Sequence, residues 1–486
     1  MKFKKLAAVT MTSVMAVSML AGCGGSNTEG SSAAGSGSTD TTGESSASSD
    51  STGGEAAGDG EQITLRFASW SLGTEEENNI ERQIIAKYEE LHTNINIEIA
   101  TEMDTTKWVE SLTTAAAGGT MPDVCFVADL PTAVANDWAL DVTSYVENDE
   151  DWANIPTVLS ESGKYGSGTY GIPTGMHLMG LYVNTDLFES KNQEPLSIGY
   201  TMDDFQQALE NMSAPSEGII AIKQAGGNIF EWYPFIKNPE LGWFTYNDGA
   251  VALNSPEFIE GIKFCQSIYT NGYSFDSLTD EQKANFGTES DWDAFLAGKV
   301  AMCFDPTSNV GVYSDMASNV EFVGLPDGKT GIIPDYAFIS KTTEHPQEAY
   351  DFLKFISFSK EGIMARMDLL DADPELTWNS LPANQDEEIM TRYFTDYEMA
   401  GVKEVYENME GNAVVEAFKY TPGYTNARWE APTGISTADA DNATMAQVID
   451  ACVHGDLNID DYAEQINTLA NSSIQEVQTV IDAVTQ

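Results

Sequence analysis

The sequence predicts an α/β fold with two lobes, on two observations. The part of the chain with apolar patterning opens with strand and helix signals in the order β-α-β-α-β. This order is typical of a largely parallel sheet covered by helices. Residues 62–486 are also too many for one hydrophobic core, so two lobes are expected.

Each element of the opening region follows from its periodicity. Strands have apolar residues at every second position, and amphipathic helices have them every three or four positions. A glycine pair ends the second helix. The expected elements are strands at 63–68, 95–99 and 123–128, and helices at 80–91 and about 105–117.

Two side chains stand directly after strands of this region. Trp70 follows the first strand, and Asp129 follows the third. Ligands of such sheets bind beyond the carboxyl ends of the strands. Trp70 and Asp129 are therefore candidate ligand contacts, although Asp129 could equally cap a helix.

The second lobe has local signals of the same kind. Thr201 can cap a helix, and Ser255 precedes a proline at the first position of another. Residues 299–304 read as a strand that ends at Asp305. Asp305 is therefore a further candidate contact at a strand end.

The first 23 residues have the pattern of a secretory signal. A basic start is followed by an apolar run over residues 6–20, and small residues precede Cys23. Leu20-Ala-Gly-Cys23 resembles the lipobox of bacterial lipoproteins, which implies cleavage after residue 22 and lipid on Cys23. An ordinary signal peptide is the alternative. Residues 23–61 are rich in Gly, Ser and Thr and are predicted to be a disordered linker.

The chain is strongly acidic, with 76 Asp and Glu against 23 Lys and Arg and a formal net charge of −53. Such a chain should repel nucleic acid and anionic lipid headgroups. A solvated acidic surface accounts for this charge, and a cationic ligand is the narrower alternative. Buried thiols are favoured for Cys125, Cys265, Cys303 and Cys452, and the sequence leaves open whether any of them pair.

Five segments, in order, resemble the bacterial extracellular solute-binding proteins of family 1, the sugar-binding components of ABC importers. Residues 115–127 (AAAGGTMPDVCFV) resemble the motif AAxAAGxxPDV of that family. The other segments resemble its YGIP and YYNKDLF segment, its FxxGKAAM strand, its crossover strand with the PEEAWKFLKF helix, and its C-terminal helix pair. They lie at 170–188, 295–302, 339–355 and 448–462.

The resemblance implies a two-lobed periplasmic-binding-protein-like fold, with crossover hinge strands and a ligand cleft between the lobes. Lobe one would take residues 62–173 and 331–380, and lobe two 174–330 and 381–486. The implied function is capture of a mono- or oligosaccharide by hinge closure and its delivery to ABC permease subunits. We expect a monomer outside the cytoplasm, tethered to the cell membrane by lipid on Cys23.

A sugar site needs flat aromatic rings and polar groups that orient hydroxyls. The resemblance adds candidates at the lobe junction and in the cleft-facing stretch of lobe two. Asp335 and Tyr336 depart from the small residues that the family more often has there. The full candidate set is Trp70, Asp129, Met176, His177, Trp232, Tyr233, Asp305, Asp335, Tyr336 and Trp429.

No enzyme motif is evident in the sequence. The four histidines are widely separated, and there is no zinc motif, phosphate-binding glycine loop or nucleophile elbow. We therefore expect no enzyme activity, metal or cofactor. A secreted carbohydrate-active hydrolase, a binding lipoprotein for a non-sugar solute, and a sensory or adhesive lipoprotein stay open as alternatives, because two carboxylates across a cleft cannot be excluded from sequence.

Overall fold

Nine strands, in the order β2-β1-β3-β10-β6-β8-β7 with β11 beside β10 and β9 beside β6, form the central sheet of the computed structural model. The structure describes residues 62–395 and 399–486, and Cys23, the predicted signal segment and the linker lie outside them. The strands are β1 (Ile63–Ala68), β2 (Ile95–Ile99), β3 (Val124–Val127), β4 (Lys164–Tyr165), β5 (Gly168–Thr169), β6 (Ile172–Asn184), β7 (Ile220–Ile222), β8 (Val300–Pro306), β9 (Val320–Phe322), β10 (Thr330–Ile339) and β11 (Ala413–Val415).

Helices cover this sheet, and none in the described ranges is long and apolar enough to cross a membrane. They are α1 (Ile80–Leu91), α2 (Trp108–Gly118), α3 (Leu130–Ala135), α4 (Thr143–Val146), α5 (Thr157–Glu161), α6 (Thr185–Ser190), α7 (Met202–Asn211), α8 (Ile229–Lys237), α9 (Pro256–Thr270), α10 (Asp280–Lys283), α11 (Asp291–Leu296), α12 (Val310–Ser314), α13 (Pro346–Ser357), α14 (Lys360–Ala372), α15 (Glu387–Tyr393), α16 (Val402–Glu407), α17 (Ala417–Tyr420), α18 (Met445–His454) and α19 (Ile459–Val484).

Two long antiparallel strands, β6 and β10, connect the two halves of the sheet. β3 pairs with the end of β10, and β1 and β2 follow it to form the first half. β8 pairs with the later part of β6 and β7 pairs with β8, while β11 pairs with the start of β10, which completes the second half. We call the central rows, in which Gly175–Met179 pairs with Gly331–Asp335, the crossover.

Strand direction places the ends of both halves at the crossover. β3 runs antiparallel to β10 and ends where Val127 pairs with Tyr336. β8 runs antiparallel to β6 and ends where Pro306 pairs with Met179. Because β1 is parallel to β3, β7 to β8 and β11 to β10, the carboxyl ends of all these strands meet at the crossover.

Two large clusters of buried apolar side chains hold these layers. One contains Leu65, Ile84 and Phe352, so it packs α1 and α13 against the first half of the sheet. The other packs the helices of the second half. The long helix α19 contributes Ile474 to the second cluster and Ile481 to the first, so it joins both.

The two-lobed α/β fold class is confirmed, and the lobe boundaries stay a prediction. The predicted strands and helices of the opening region are all present, and only the start of the second helix differs by more than one residue. The second helix begins at Trp108 rather than near residue 105, because Asp104 accepts hydrogen bonds from the Thr106 amide (2.9 Å) and hydroxyl (2.7 Å) and holds a turn there. The four predicted thiols are buried and free.

Candidate functional site

The crossover collects polar side chains from the strand ends of both halves. In the first half, Trp70 follows β1 and Asp129 follows β3. In the second half, Lys223 follows β7, Asp305 lies at the end of β8, and Glu416 follows β11. Open α/β sheets bind ligands at such a place. The crossover is therefore the candidate ligand site.

Asp335 is the ionised centre of this site. Lys419 Nζ lies 3.5 Å from Asp335 Oδ1, and His177 Nε2 lies 3.7 Å from Oδ2. Burial works to raise the pKa of Asp335, but Lys419 and His177 outweigh it and hold the pKa at about 2. A register shift between Asp335 and Tyr336 marks this point of β10. The other ring nitrogen of His177, Nδ1, is buried and has no hydrogen-bond partner among the described residues.

Asp129 joins the first half to the second. It caps α3 by accepting from the Thr132 amide (3.3 Å), and it accepts a hydrogen bond from the Thr425 hydroxyl (3.1 Å). Burial, with a smaller contribution from Glu430, raises the pKa of Asp129 to about 6. The cap predicted as an alternative role is therefore present, together with a contact across the site.

A second hydrogen bond between the two halves involves Tyr165 and Tyr420. The Tyr165 hydroxyl, on β4, donates a hydrogen bond of 2.8 Å to the backbone carbonyl of Tyr420 at the end of α17. The ring of Tyr420 packs edgewise on Tyr246, with centroids 5.4 Å apart. Polar contacts thus connect the two halves on the β3 and β11 side of the crossover.

Trp429 presents the exposed aromatic surface of the site. It lies in a π-helical turn over Asn426–Glu430 and is 38% exposed. Its ring packs edgewise on Phe418 (5.3 Å) and Tyr424 (5.4 Å). The turn lies beside the end of β3, because Thr425 bonds Asp129 and Glu430 acts on its pKa.

Arg428, beneath this ring, has its charge already matched. Its Nη2 lies 2.5 Å from Glu231 Oε1, and Trp243 Nε1 donates to the other carboxylate oxygen at 2.7 Å. The guanidinium carbon is 4.9 Å from the centroids of both Phe244 and Trp429. Arg428 is therefore an internal ion pair within an aromatic cage rather than a free cation for an anionic ligand.

Asp305 is also engaged. Lys223 Nζ lies 3.3 Å from its carboxylate, and the Tyr313 hydroxyl donates to it at 2.5 Å. Lys223 also lies 5.1 Å from the centroid of the Trp292 ring. Both charged side chains keep some exposed surface, 15% for Lys223 and 17% for Asp305, so they can contact a ligand without losing this pair.

The candidate ligand contacts from the sequence differ in the exposure of their side chains. Trp70 is partly exposed and packs edgewise on Trp108 (5.4 Å) and Phe126 (5.5 Å). Asp129, His177, Asp305 and Asp335 are partly exposed, and Trp429 is exposed. These six candidates have surface available at the strand ends.

The remaining four candidates are buried, namely Met176, Trp232, Tyr233 and Tyr336. The ring of Trp232 packs on Phe304 at 4.9 Å, and the Tyr233 hydroxyl donates to Glu260 on α9 at 2.8 Å. Tyr336 hydrogen-bonds Ser162, and Met176 pairs through its backbone with Leu381. In this conformation they lack the exposed surface that direct ligand contact requires.

Sequence reasoning missed three charged or polar groups of the site, Lys223, Glu416 and Lys419. Glu416 follows Ala413-Val-Val415, a strand of three residues that is too short to show a period. The rule that ligand groups follow strand ends would have identified it once β11 was known. In the described ranges, no group of three or more His, Cys, Asp or Glu side chains could hold a metal ion.

A family model described as bacterial extracellular solute-binding protein matches residues 73–362 of this chain. That segment is more than half of the 486 residues.

Solved structures share the fold. The sugar-binding protein MalE from Xanthomonas citri is 15% identical with a TM-score of 0.65, over 86% of this chain and 99% of that one. An ABC substrate-binding protein from Listeria monocytogenes, in complex with cycloalternan, is 17% identical with a TM-score of 0.62, over 85% and 100%. A solute-binding protein from Thermotoga lettingae bound with α-D-tagatose is 16% identical with a TM-score of 0.59, over 87% and 100%.

Proposed function

The chain belongs to the bacterial extracellular solute-binding proteins, and on this premise we propose that it captures a carbohydrate at the crossover and delivers it to an ABC permease. The proposal rests mainly on one observation. The exposed Trp429 ring belongs to the same site as carboxylates from both halves of the sheet. An aromatic ring matches the apolar face of a sugar, and carboxylates accept hydrogen bonds from its hydroxyls. Proteins of this fold bind cycloalternan and tagatose.

The proposed site contains Trp70, Asp129, His177, Asp305, Asp335 and Trp429 at the cleft surface. The four buried candidates are proposed to pack behind this surface; they are Met176, Trp232, Tyr233 and Tyr336. Hinge closure follows from the two-lobed arrangement, with lobe one at 62–173 and 331–380 and lobe two at 174–330 and 381–486. A ligand that contacts both lobes favours the closed form, because only that form makes both sets of contacts.

The proposed membrane tether is lipid on Cys23, after removal of residues 1–22, with residues 23–61 as a flexible linker. It raises the local concentration of the binding protein near its permease. Cys23→Ala should move the protein from the membrane fraction to the medium, as followed by fractionation. Equal membrane recovery of the variant would contradict the tether and leave the binding proposal intact.

Trp429→Ala tests the site directly. Loss of the ring should weaken sugar binding at least tenfold, or about 1.4 kcal/mol, in isothermal titration against saccharides that raise the melting temperature in a thermal-shift screen. Because the ring also packs on Phe418, Tyr424 and Arg428, the melting temperature of the free protein should fall, so affinity is measured at a temperature where circular dichroism shows the variant to be folded.

Trp138→Ala is the matched control for this variant. Trp138 is partly exposed, and its carbonyl accepts a hydrogen bond from the Lys341 amide, near the start of β3 and thus at the other end of that strand from the crossover. Its loss should leave affinity unchanged. A screen in which no saccharide binds would reject carbohydrate as the solute class. Recovery of cleaved saccharide after incubation would instead favour the hydrolase alternative.

A further inference from the structure

Three carboxylates around the crossover are paired with cations. Asp335 is paired with Lys419, Glu231 with Arg428, and Asp305 with Lys223. The carboxyl group of Glu416 has neither a hydrogen bond nor an ion pair within the described part of the chain. It is therefore a carboxyl of the site without a counter-ion.

Backbone pairing fixes Glu416 in this place. The amide of Glu416 donates a hydrogen bond of 2.8 Å to the carbonyl of Ile332 on β10, next to the crossover. Its side chain is only partly exposed, and burial is the main reason that its pKa is raised to about 7. The carboxyl group is thus partly desolvated but still accessible to a ligand.

The charged groups that act on Glu416 come from four elements, and their charges cancel. Lys419 of α17 and Arg428 of the π-helical turn lower its pKa, whereas Glu231 of α8 and Asp335 of β10 raise it. The imidazole of His177 on β6 contacts Asp335. With two cations and two anions around it, an ionised Glu416 adds a net negative charge that no group in residues 62–395 and 399–486 offsets.

Asp129 adds to this imbalance. Its partner across the site is the neutral hydroxyl of Thr425, and the nearby Glu430 is a second acid. Closing the cleft on these carboxylates costs free energy unless the solute supplies a positive charge or the carboxyls take up protons. The formal net charge of −53 also raises the local concentration of cations near the protein.

We propose that Glu416 binds an ammonium group of the solute, and that the solute is an amine-bearing carbohydrate. This inference rests on the proposed carbohydrate-binding function. An ammonium group offers three hydrogen-bond donors and a full positive charge, which match a carboxylate that has no partner. A neutral sugar supplies donors to the same site but leaves the charge uncompensated.

The charge state of Glu416 gives this pair a characteristic pH dependence. An ammonium group binds the ionised carboxylate, so affinity should rise between pH 5 and pH 7, below the range in which the sugar amine itself loses its proton. A neutral sugar would show flat affinity or the opposite slope over the same range. The slope thus separates ammonium recognition from a merely structural role of Glu416.

The test is isothermal titration of the purified full chain with matched saccharides. The panel contains hexosamines and their oligomers, the N-acetylated forms of the same molecules, and the corresponding neutral hexoses. We expect the amine form to bind at least tenfold more tightly than its N-acetylated form at pH 7, where the sugar amine still carries its proton, with the preference reduced at pH 5.

Glu416→Gln should remove this preference while the melting temperature shows that the variant is folded. Glu410→Gln is the matched control, because Glu410 is exposed and precedes β11, so it lies at the other end of that strand from Glu416. This control should keep the preference.

The outcomes separate the two proposals. Neutral saccharides that bind as tightly as the amines, with Glu416→Gln unchanged, would overturn the ammonium inference and leave carbohydrate binding standing. Absence of binding by every saccharide of the panel would overturn both. An amine preference that persists in Glu416→Gln would overturn the role of Glu416 alone.

Discussion

Asp335 on β10 and Glu416 directly after β11 lie at the same crossover, yet the pKa values of their carboxyl groups differ widely. Burial works to raise the pKa in both cases. Lys419 and His177 hold the pKa of Asp335 at about 2, whereas that of Glu416 is about 7. Desolvation is therefore common to the two carboxyls, and the presence or absence of a direct cationic partner decides which one is ionised.

The two carboxyl groups therefore have different roles within one site. A carboxylate with its counter-ion in place is a fixed part of the wall and can accept hydrogen bonds from hydroxyls. A carboxyl without a counter-ion is unstable when ionised, and a ligand can stabilise it. Two positions on adjacent strands can thus serve orientation and charge recognition.

Removal of the partner of Asp335 should have the largest effect. Lys419→Met leaves the carboxylate without its cation, and the free energy of unfolding at pH 7 should fall by about 2–3 kcal/mol. Denaturant unfolding measures this loss. Lys403→Met is the control, since Lys403 lies 3.7 Å from Glu407 with both side chains about half exposed, and it should cost little.

The pH dependence sharpens the same test. The depressed pKa of Asp335 contributes stability above pH 3.8, which is lost as pH falls through about 2. Without Lys419 this contribution should shrink, so the variant and the parent should converge at low pH. A variant that loses equal stability at pH 7 and pH 2.5 would contradict the assigned ion pair.

Glu416→Gln should act in the opposite direction. A carboxyl with a raised pKa favours folding while it is protonated, and this contribution is lost as pH rises from about 4.5 to about 7. The variant should therefore be more stable than the parent at pH 8 by about 1–2 kcal/mol, and nearly equal at pH 4.5. Denaturant unfolding at the two pH values, with Glu410→Gln as the control, measures the difference. Lower stability at pH 8 would show that Glu416 has a partner.

The opening strands and helices were predictable because their signals are local. A strand such as β1 shows its alternation within six residues, and the apolar stripe of α1 lies within twelve. β11 has three residues, and its pairing with β10 joins residues distant in sequence. Sequence reasoning therefore found Trp70 and Asp129 but not Glu416.

The burial of individual tryptophans also could not be predicted from the sequence. Trp232 and Trp429 each follow a charged residue directly, Glu231 and Arg428. Trp232 is fully buried because α8 packs between α9 and the sheet, whereas Trp429 is 38% exposed because its π-helical turn lies at the edge of the second cluster. Tertiary packing, rather than composition, decides which ring faces a ligand.

Thr425→Val should give the smallest effect and tests the contact across the two halves. The change removes the hydroxyl that donates to Asp129 and keeps the side-chain volume. Burial raises the pKa of Asp129 to about 6, so its carboxylate is ionised at pH 7.5 and loses a charge-assisted hydrogen bond there.

The expected cost at pH 7.5 is about 1 kcal/mol in the free energy of unfolding, with a smaller cost at pH 4.5, where Asp129 is largely protonated. Thr468→Val is the control, because the Thr468 hydroxyl is exposed on α19 and bonds only the carbonyl of Glu464. Equal costs at the two pH values would mean that the Thr425 hydroxyl does not stabilise the ionised form. The pKa of Asp129 would then depend on burial, Thr132 and Glu430, without a contribution from Thr425.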